Sequence, residues 1–204
     1  MELYDSEEQQ VEAIKDWWKE NGKAVILGGV IGLGGLFGWQ YYQDSVTAAK
    51  EEASRNYSQA IERLTANGTE EASYVQSFIS EHKDSGYAVL AALQLAKAQV
   101  EAGQLDTALE QLNWAQTNSS DETLAPLIIF RKARLLAQQG ELDSALAEIA
   151  SVKAENWTGR VAELKGDLLL RQGDKDGAYS AYTEAQQAKD ASQALQMKLD
   201  DLAR

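Results

Sequence analysis

Cysteine is absent from all 204 residues, which excludes disulfides, thiolate metal sites and cysteine nucleophiles. Histidine occurs once, as His82 beside Lys83-Asp84-Ser85, where it reads as a solvated loop residue. Proline also occurs once, so almost nothing interrupts a helix, and the many Ala, Leu, Glu and Gln residues favour one. The body of the chain is therefore expected to be all-α. Phosphate-cradling glycine loops are missing. The acid pairs Glu70-Glu71, Asp121-Glu122 and Asp200-Asp201 fall at expected helix starts or on solvated faces, where such residues usually go. Nucleophile, base and metal ligands do not converge anywhere, so the chain reads as a non-enzyme with no catalytic residue, no cofactor and no metal. Positive charge is scarce as well: 19 Lys and Arg face 32 Asp and Glu, a net charge of −13. Such a surface repels phosphate backbones, and nucleic acid is not an expected partner.

One stretch has no charge at all. From Ala24 to Gln43 the chain reads AVILGGVIGLGGLFGWQYYQ, bounded by Lys23 and Asp44. Twenty helical residues at about 1.5 Å each span roughly 30 Å, the thickness of a bilayer's hydrocarbon core. Trp17 and Trp18 precede the stretch, and Trp39, Tyr41 and Tyr42 close it, as the two aromatic belts of a spanning helix would. Its large apolar side chains favour insertion by about 2.5–5 kcal/mol in sum. The reading is a single transmembrane helix in contact with membrane lipid. A signal peptide cleaved near Val46-Thr47-Ala48 and a buried helix of a soluble protein are the alternatives. Within the span, Ala24, Gly28, Gly32, Gly35 and Gly38 share an arc of about 120°. Gly28-xxx-Gly32 and Gly34-xxx-Gly38 are small-xxx-small pairs, and this face is expected to dock on another transmembrane helix.

Residues 1–23 read as an N-terminal cytoplasmic segment. It contains a short amphipathic helix capped by Asp5 or Ser6, has Val11, Ile14, Trp17 and Trp18 on one side, and stops at Asn21-Gly22. Lys15, Lys19 and Lys23 before the span, against Lys50 and Arg55 after it, give a slight bias toward an inside N-terminus. Residues 24–43 are the span, and 44–204 form a domain on the far side. Helical spacing of Ala49, Ala53, Tyr57, Ala60, Ile61 and Leu64 carries a helix onward to Asn67-Gly68, with a possible break near Asp44, and a second helix is expected over 70–82.

Behind these the chain repeats itself. Gly103-Gln-Leu-Asp-Thr-Ala108 is echoed by Gly140-Glu-Leu-Asp-Ser-Ala145 and by Gly173-Asp-Lys-Asp-Gly-Ala178, with the glycines 37 and 33 residues apart. A fainter copy starts at Gly68, 35 residues before the first. Fixed periods near this length signal stacked helix pairs, none of which can bury its apolar face alone. Glycine is expected to end one helix in a left-handed conformation, and aspartate three residues on to cap the next. The alanine is the small residue of a helix contact whose large partner follows four later as Leu112, Ile149 or Tyr182. Ala96, Ala133 and Gly166 occupy the matching small position of each first helix, and Ala115, Val152 and Ala185 come last. These positions resemble the tetratricopeptide repeat, although the early aromatic and the closing proline are missing from every unit. Phe78, Tyr87 and Phe130 are expected in the core. Trp114 and Trp157 are candidate anchors for a bound protein segment, with repeat packing as the alternative. Ala191 to Arg204 reads as a terminal helix with a polar outer face.

The layout of acidic tail, glycine-faced span and acidic repeat domain resembles the YfgM family of ancillary SecYEG translocon subunits. The matching residues are Met1-Glu-Leu-Tyr-Asp, Val11-Glu-Ala-Ile, Glu20-Asn-Gly-Lys23, the span ending Gly38-Trp39, and Gly166 with Gly173-Asp-Lys. The resemblance implies a single-pass type II protein of the cell inner membrane with a periplasmic repeat domain. It also implies association with SecYEG and the periplasmic chaperone PpiD, transfer of exported proteins to periplasmic chaperones, and a link to the stress regulator RcsB. The residues alone support a membrane-tethered protein-interaction module. A scaffold for cell-envelope or division machinery is the alternative.

Overall fold

The computed structural model describes residues 7–202, and among them all regular structure is helical. The chain divides into two compact units, Met1–Glu52 and Ala53–Arg204.

Helix α1 runs Glu7–Asn67 and accounts for all the described structure of the first unit. The expected stop at Asn21-Gly22 does not occur. Asn21 Nδ2 instead donates to the Trp17 carbonyl at 3.0 Å, and the Trp18 indole lies over Gly22. A glycine costs a helix only about 1 kcal/mol, too little to end one that continues into uncharged apolar sequence. The helix is also unbroken at Asp44, because α1 contains no proline. The expected cap at Asp5 or Ser6 lies outside the described residues.

In the second unit the end of α1 buries Ala53, Ala60 and Leu64, with Tyr57 and Ile61 half-buried, while Ala49 lies outside this unit and is exposed. A 3-10 turn at Gly68–Glu71 leads to α2 (Ala72–Glu81), then α3 (Gly86–Glu101) and α4 (Leu105–Asn118). After these come α5 (Ala125–Gln139), α6 (Leu142–Ile149), a second 3-10 turn, α7 (Thr158–Gln172), α8 (Lys175–Gln187) and α9 (Leu195–Leu202). Consecutive helices pack on each other as the pairs α3–α4, α5–α6 and α7–α8, with α9 against α8. This is the helical-repeat array the sequence period predicts. Phe78 is buried, while Tyr87 and Phe130 are half-buried against the core.

The three repeat glycines end their helices identically. Gly103, Gly140 and Gly173 have φ of 75°, 90° and 87°, the region a Cβ disfavours. The next amide reaches back five residues each time: Gln104 N to Gln99 O at 2.8 Å, Glu141 N to Leu136 O at 2.9 Å, and Asp174 N to Leu169 O at 3.0 Å. These bonds satisfy carbonyls that would otherwise be orphaned at the helix end.

The repeat aspartates do not cap. Asp106 and Asp143 sit inside the first turns of α4 and α6, two residues past the N-cap positions held by Gln104 and Glu141. Each instead accepts from the glutamine just before the next repeat glycine. Gln139 Nε2 donates to Asp106 Oδ1 at 2.8 Å, and Gln172 Nε2 to Asp143 Oδ1 at 2.7 Å. In the third unit Asp174 is the cap, accepting from Gly177 N at 2.9 Å.

Ala108, Ala145 and Ala178 are fully buried, and Leu112, Ile149 and Tyr182 nearly so. The first-helix positions match them in size. Ala96 shares a core cluster with Leu112, and Ala133 shares one with Ile149, but the larger Tyr182 faces Gly166, where a Cβ would overlap its ring. The middle unit is shorter. Helix α6 ends at Ile149, Ser151 Oγ turns back to the Glu148 carbonyl at 2.7 Å, and Val152 lies beyond the helix and half-buried.

Helix α9 buries Leu195 and Leu199, and its Lys198 holds two carboxylates of α7, Asp167 at 2.6 Å and Glu163 at 2.9 Å. Tyr182 Oη also donates to Asp167, at 2.7 Å. In the linker ahead of α9, Asp190 accepts from the Gly159 and Arg160 amides at 2.8 and 3.2 Å, capping α7 from outside its own sequence.

Two outcomes follow from this packing. Gly166→Ala should lower the stability of the array by about 1–3 kcal/mol in urea unfolding, and Tyr182→Leu in the same chain should recover part of that loss. An unchanged midpoint would mean that Tyr182 moves aside freely. The second outcome concerns alkaline pH. Burial, and then the bond to Asp167, push the Tyr182 hydroxyl above its usual 10.0. Burial opposes the charge on Lys198, but Asp167 and Glu163 outweigh it and raise the ammonium above 10.5. Both groups are raised in the folded state, so their stabilisation is complete below about pH 10 and declines as pH climbs further. The urea midpoint should fall through that range, and less steeply in Tyr182→Phe.

Candidate functional site

Helices α3, α5 and α7, the first members of the three pairs, line one groove of about 680 Å³, with Leu112 of α4 at its base. Leu93, Ala96, Leu112, Leu135, Leu164 and Leu168 form an apolar floor, and all are buried. The rim is charged. Lys97, Glu101, Arg131, Arg134 and Arg171 are exposed, and Asp167 is half-buried. Both rim acids are already engaged: Glu101 pairs with Lys97 at 3.7 Å, and Asp167 is held by Lys198 and Tyr182. Arg131, Arg134 and Arg171 have no ion pair among the described residues. An apolar floor with a few polar groups around it is the usual form of a binding surface, and this volume lies within the usual range of about 300–1,000 Å³.

The tryptophans singled out in the sequence do not line this groove. Trp114, on α4, is half-buried against the core cluster shared by the end of α1 and helices α2 to α5. Trp157, in the 3-10 turn before α7, packs on Phe130 with ring centroids 5.6 Å apart and beneath the Arg160 guanidinium at 4.7 Å. His82 is not a solvated loop residue. It closes α2, lies half-buried 4.8 Å from the Phe78 ring, and its Nε2 is 3.2 Å from Asn56 Nδ2. Among the described residues no three His, Cys, Asp or Glu side chains are grouped to hold a metal.

In the first unit, α1 is by length and composition long and apolar enough to cross a membrane. Its large apolar side chains are all open: Val30 is 64% exposed, Ile31 66%, Leu36 67% and Phe37 69%. Water would disfavour so long an uncovered apolar surface. Gly28, Gly32, Gly35 and Gly38 lie on this stretch, and a Cβ built on any of them meets nothing within 4 Å.

The groove arginines were missed in the sequence, although a signal for two cations existed. Lys97 and Arg134 each stand six residues before a repeat glycine, so the period places them at one site on successive first helices. Reading the glycine register backward onto the helix faces would have found that pair.

The family profile of the tetratricopeptide repeat-like domain matches residues 15–204. The solved structure of pilF from Pseudomonas aeruginosa superposes with a TM-score of 0.59 over 75% of this chain and 68% of its own, at 14% identity, a likeness of fold. Among curated proteins, the ancillary SecYEG translocon subunit of Escherichia coli (strain K12) is 37% identical over 100% of both chains. The subunits of the same name from Haemophilus influenzae and Aggregatibacter actinomycetemcomitans are 35% and 37% identical, each over 96% of this chain and 97% of their own. With its repeat fold and its likeness to these subunits along its whole length, the chain belongs to the family of tetratricopeptide repeat-like ancillary SecYEG translocon subunits.

Proposed function

We propose that this chain is a membrane-anchored accessory of the SecYEG translocon that engages other proteins through its repeat groove. The observation that carries this reading is the full-length similarity to the Escherichia coli subunit of that name. Residues 24–43 cross the inner membrane, 1–23 stay in the cytoplasm, and 44–204 stand in the periplasm. The exposed apolar surface of α1 supports the span. The small bias of lysines toward the N-terminal side supports the orientation. Gly28, Gly32, Gly35 and Gly38 form the face that packs on a transmembrane helix of the partner, because a helix without side chains there lets another backbone approach closely. Emerging chains expose apolar segments, and an apolar groove beside the exit can hold them until periplasmic chaperones, PpiD among them, take over. A restraint on RcsB-dependent stress signalling is a further role consistent with the family resemblance. A non-catalytic scaffold needs no converging reactive groups, and the repeat fold fits one.

Two measurements test this. A reporter active only in the periplasm, fused at the C-terminus, should be active, and a cytoplasmic reporter at the same place should be silent. The opposite pattern would reverse the orientation. Gly28→Leu with Gly32→Leu should reduce recovery of SecYEG with the purified membrane protein several-fold, since each leucine separates the backbones. Undiminished recovery would remove the glycine face from the docking surface.

A further inference from the structure

The groove's charges point to a more specific ligand than any apolar segment. We propose that it selects protein segments that are acidic as well as apolar, with their carboxylates seated on Arg131, Arg134 and Arg171. The proposal rests on the reading of the groove as a protein-binding surface. In a chain of net charge −13, carboxylates are abundant enough to neutralise most arginines. Arg63 pairs with Glu71 at 3.8 Å and lies 4.3 Å from the Tyr74 ring, and Arg160 pairs with Asp190 at 3.9 Å beside Trp157. Arg131, Arg134 and Arg171 have no such partner among the described residues, and all three border the same groove. The two acids there form no ion pair with them: Glu101 pairs with Lys97, and Asp167 pairs with Lys198, which it shares with Glu163. The rim therefore keeps three guanidinium groups without an ion pair among the described residues around a floor of buried leucines. Positive charge is in excess there even with the one negative charge left where Asp167 and Glu163 share Lys198.

That combination defines the occupant. Guanidinium groups take carboxylates in forked, two-bond geometry, which a lysine rim would not favour. Arg131 and Arg134 are one turn apart on α5, and Arg171 is on α7, so a matching chain carries Asp or Glu at several positions as it crosses both helices. Between them its apolar side chains meet Leu135, Leu164 and Leu168. A flat lipid surface would not reach a recessed apolar floor while satisfying cations around its edge. An acidic apolar segment does both.

The test uses the full-length chain in neutral phosphatidylcholine nanodiscs and three fluorescent peptides of about twelve residues. The peptides share one leucine pattern and carry Glu, Gln or Lys at the remaining positions. The Glu peptide should bind roughly tenfold more tightly than the Gln peptide, with the Lys peptide weakest. Salt at about 1 M should close the gap. The triple variant R131Q/R134Q/R171Q should bind the Glu peptide only as well as the Gln peptide, and Lys at the three positions should restore part of the difference. Gln138→Trp, which fills the groove from an exposed position, should weaken both peptides. Equal binding of Glu and Gln peptides, both weakened by Gln138→Trp, would overturn the acid selection and leave the groove as a protein-binding surface. No binding by any peptide would overturn both. Two other results would also overturn the proposal by naming a different occupant: loss of self-association in the triple variant, or loss of binding to phosphatidylglycerol vesicles without any peptide preference.

Discussion

Each helix pair of the second unit has apolar sides that only its neighbours can cover, and the array is built around this dependence. Close approach is possible because a small residue always meets a large one. Fully buried alanines at 108, 145 and 178 allow the paired helices to touch, and the opposing position adjusts to what it faces. Alanine suffices in the units with Leu112 and Ile149, whereas glycine is needed beneath Tyr182. Interiors packed at crystal-like density transmit such changes, so size at one position sets size at the other. Within each pair, a left-handed glycine turns the chain from the first helix into the second in the same way three times, so the pairs repeat one geometry. The groove is a product of that regularity.

Electrostatics then divides the groove from the end of the array. Asp167 belongs to both, since it borders the groove and receives Lys198 from α9 and the hydroxyl of Tyr182. Bonded to Lys198 and Tyr182, that carboxylate forms no ion pair with the arginines nearby among the described residues. The terminal helix thus contributes to the character of a surface it does not line. Lys132, Gln116 and Glu148 form a comparable half-buried network between α4, α5 and α6, in which every charged atom named has a partner. The contrast with Arg131, on the same helix as Lys132, separates charges that hold the fold from charges that are available.

The array was legible in the sequence because its signals are local. Gly103, Gly140 and Gly173 mark helix ends whatever lies around them, and the spacing to alanine and its large partner is fixed by one helical turn. Signals that depend on distant contacts were not legible. The repeat aspartates have the composition of caps, yet they bond to a glutamine about thirty residues away in the next unit. Asp190 caps a helix 31 residues earlier, a partnership invisible to local pattern. His82 lies in loop-like sequence but is drawn into contact with Phe78 and Asn56 by the fold. Asn21-Gly22 looked like an ending because the pair often is one, but the apolar stretch beyond it continues the helix. Trp114 and Trp157 drew notice through size, whereas the groove takes its character from leucines and arginines whose common face appears only once the pairs are stacked.

The way α9 is seated limits how such a chain can lengthen. Its lysine is specific to the two carboxylates of the final pair, and the loop ahead of it supplies the cap for that pair's first helix. A duplicated unit inserted after α8 would separate this terminator from everything it grips, unless the copy carried Glu163, Asp167 and the Gly159 amide along with it. Growth by duplication therefore preserves these contacts only when the pair directly before the terminator keeps the residues that it grips.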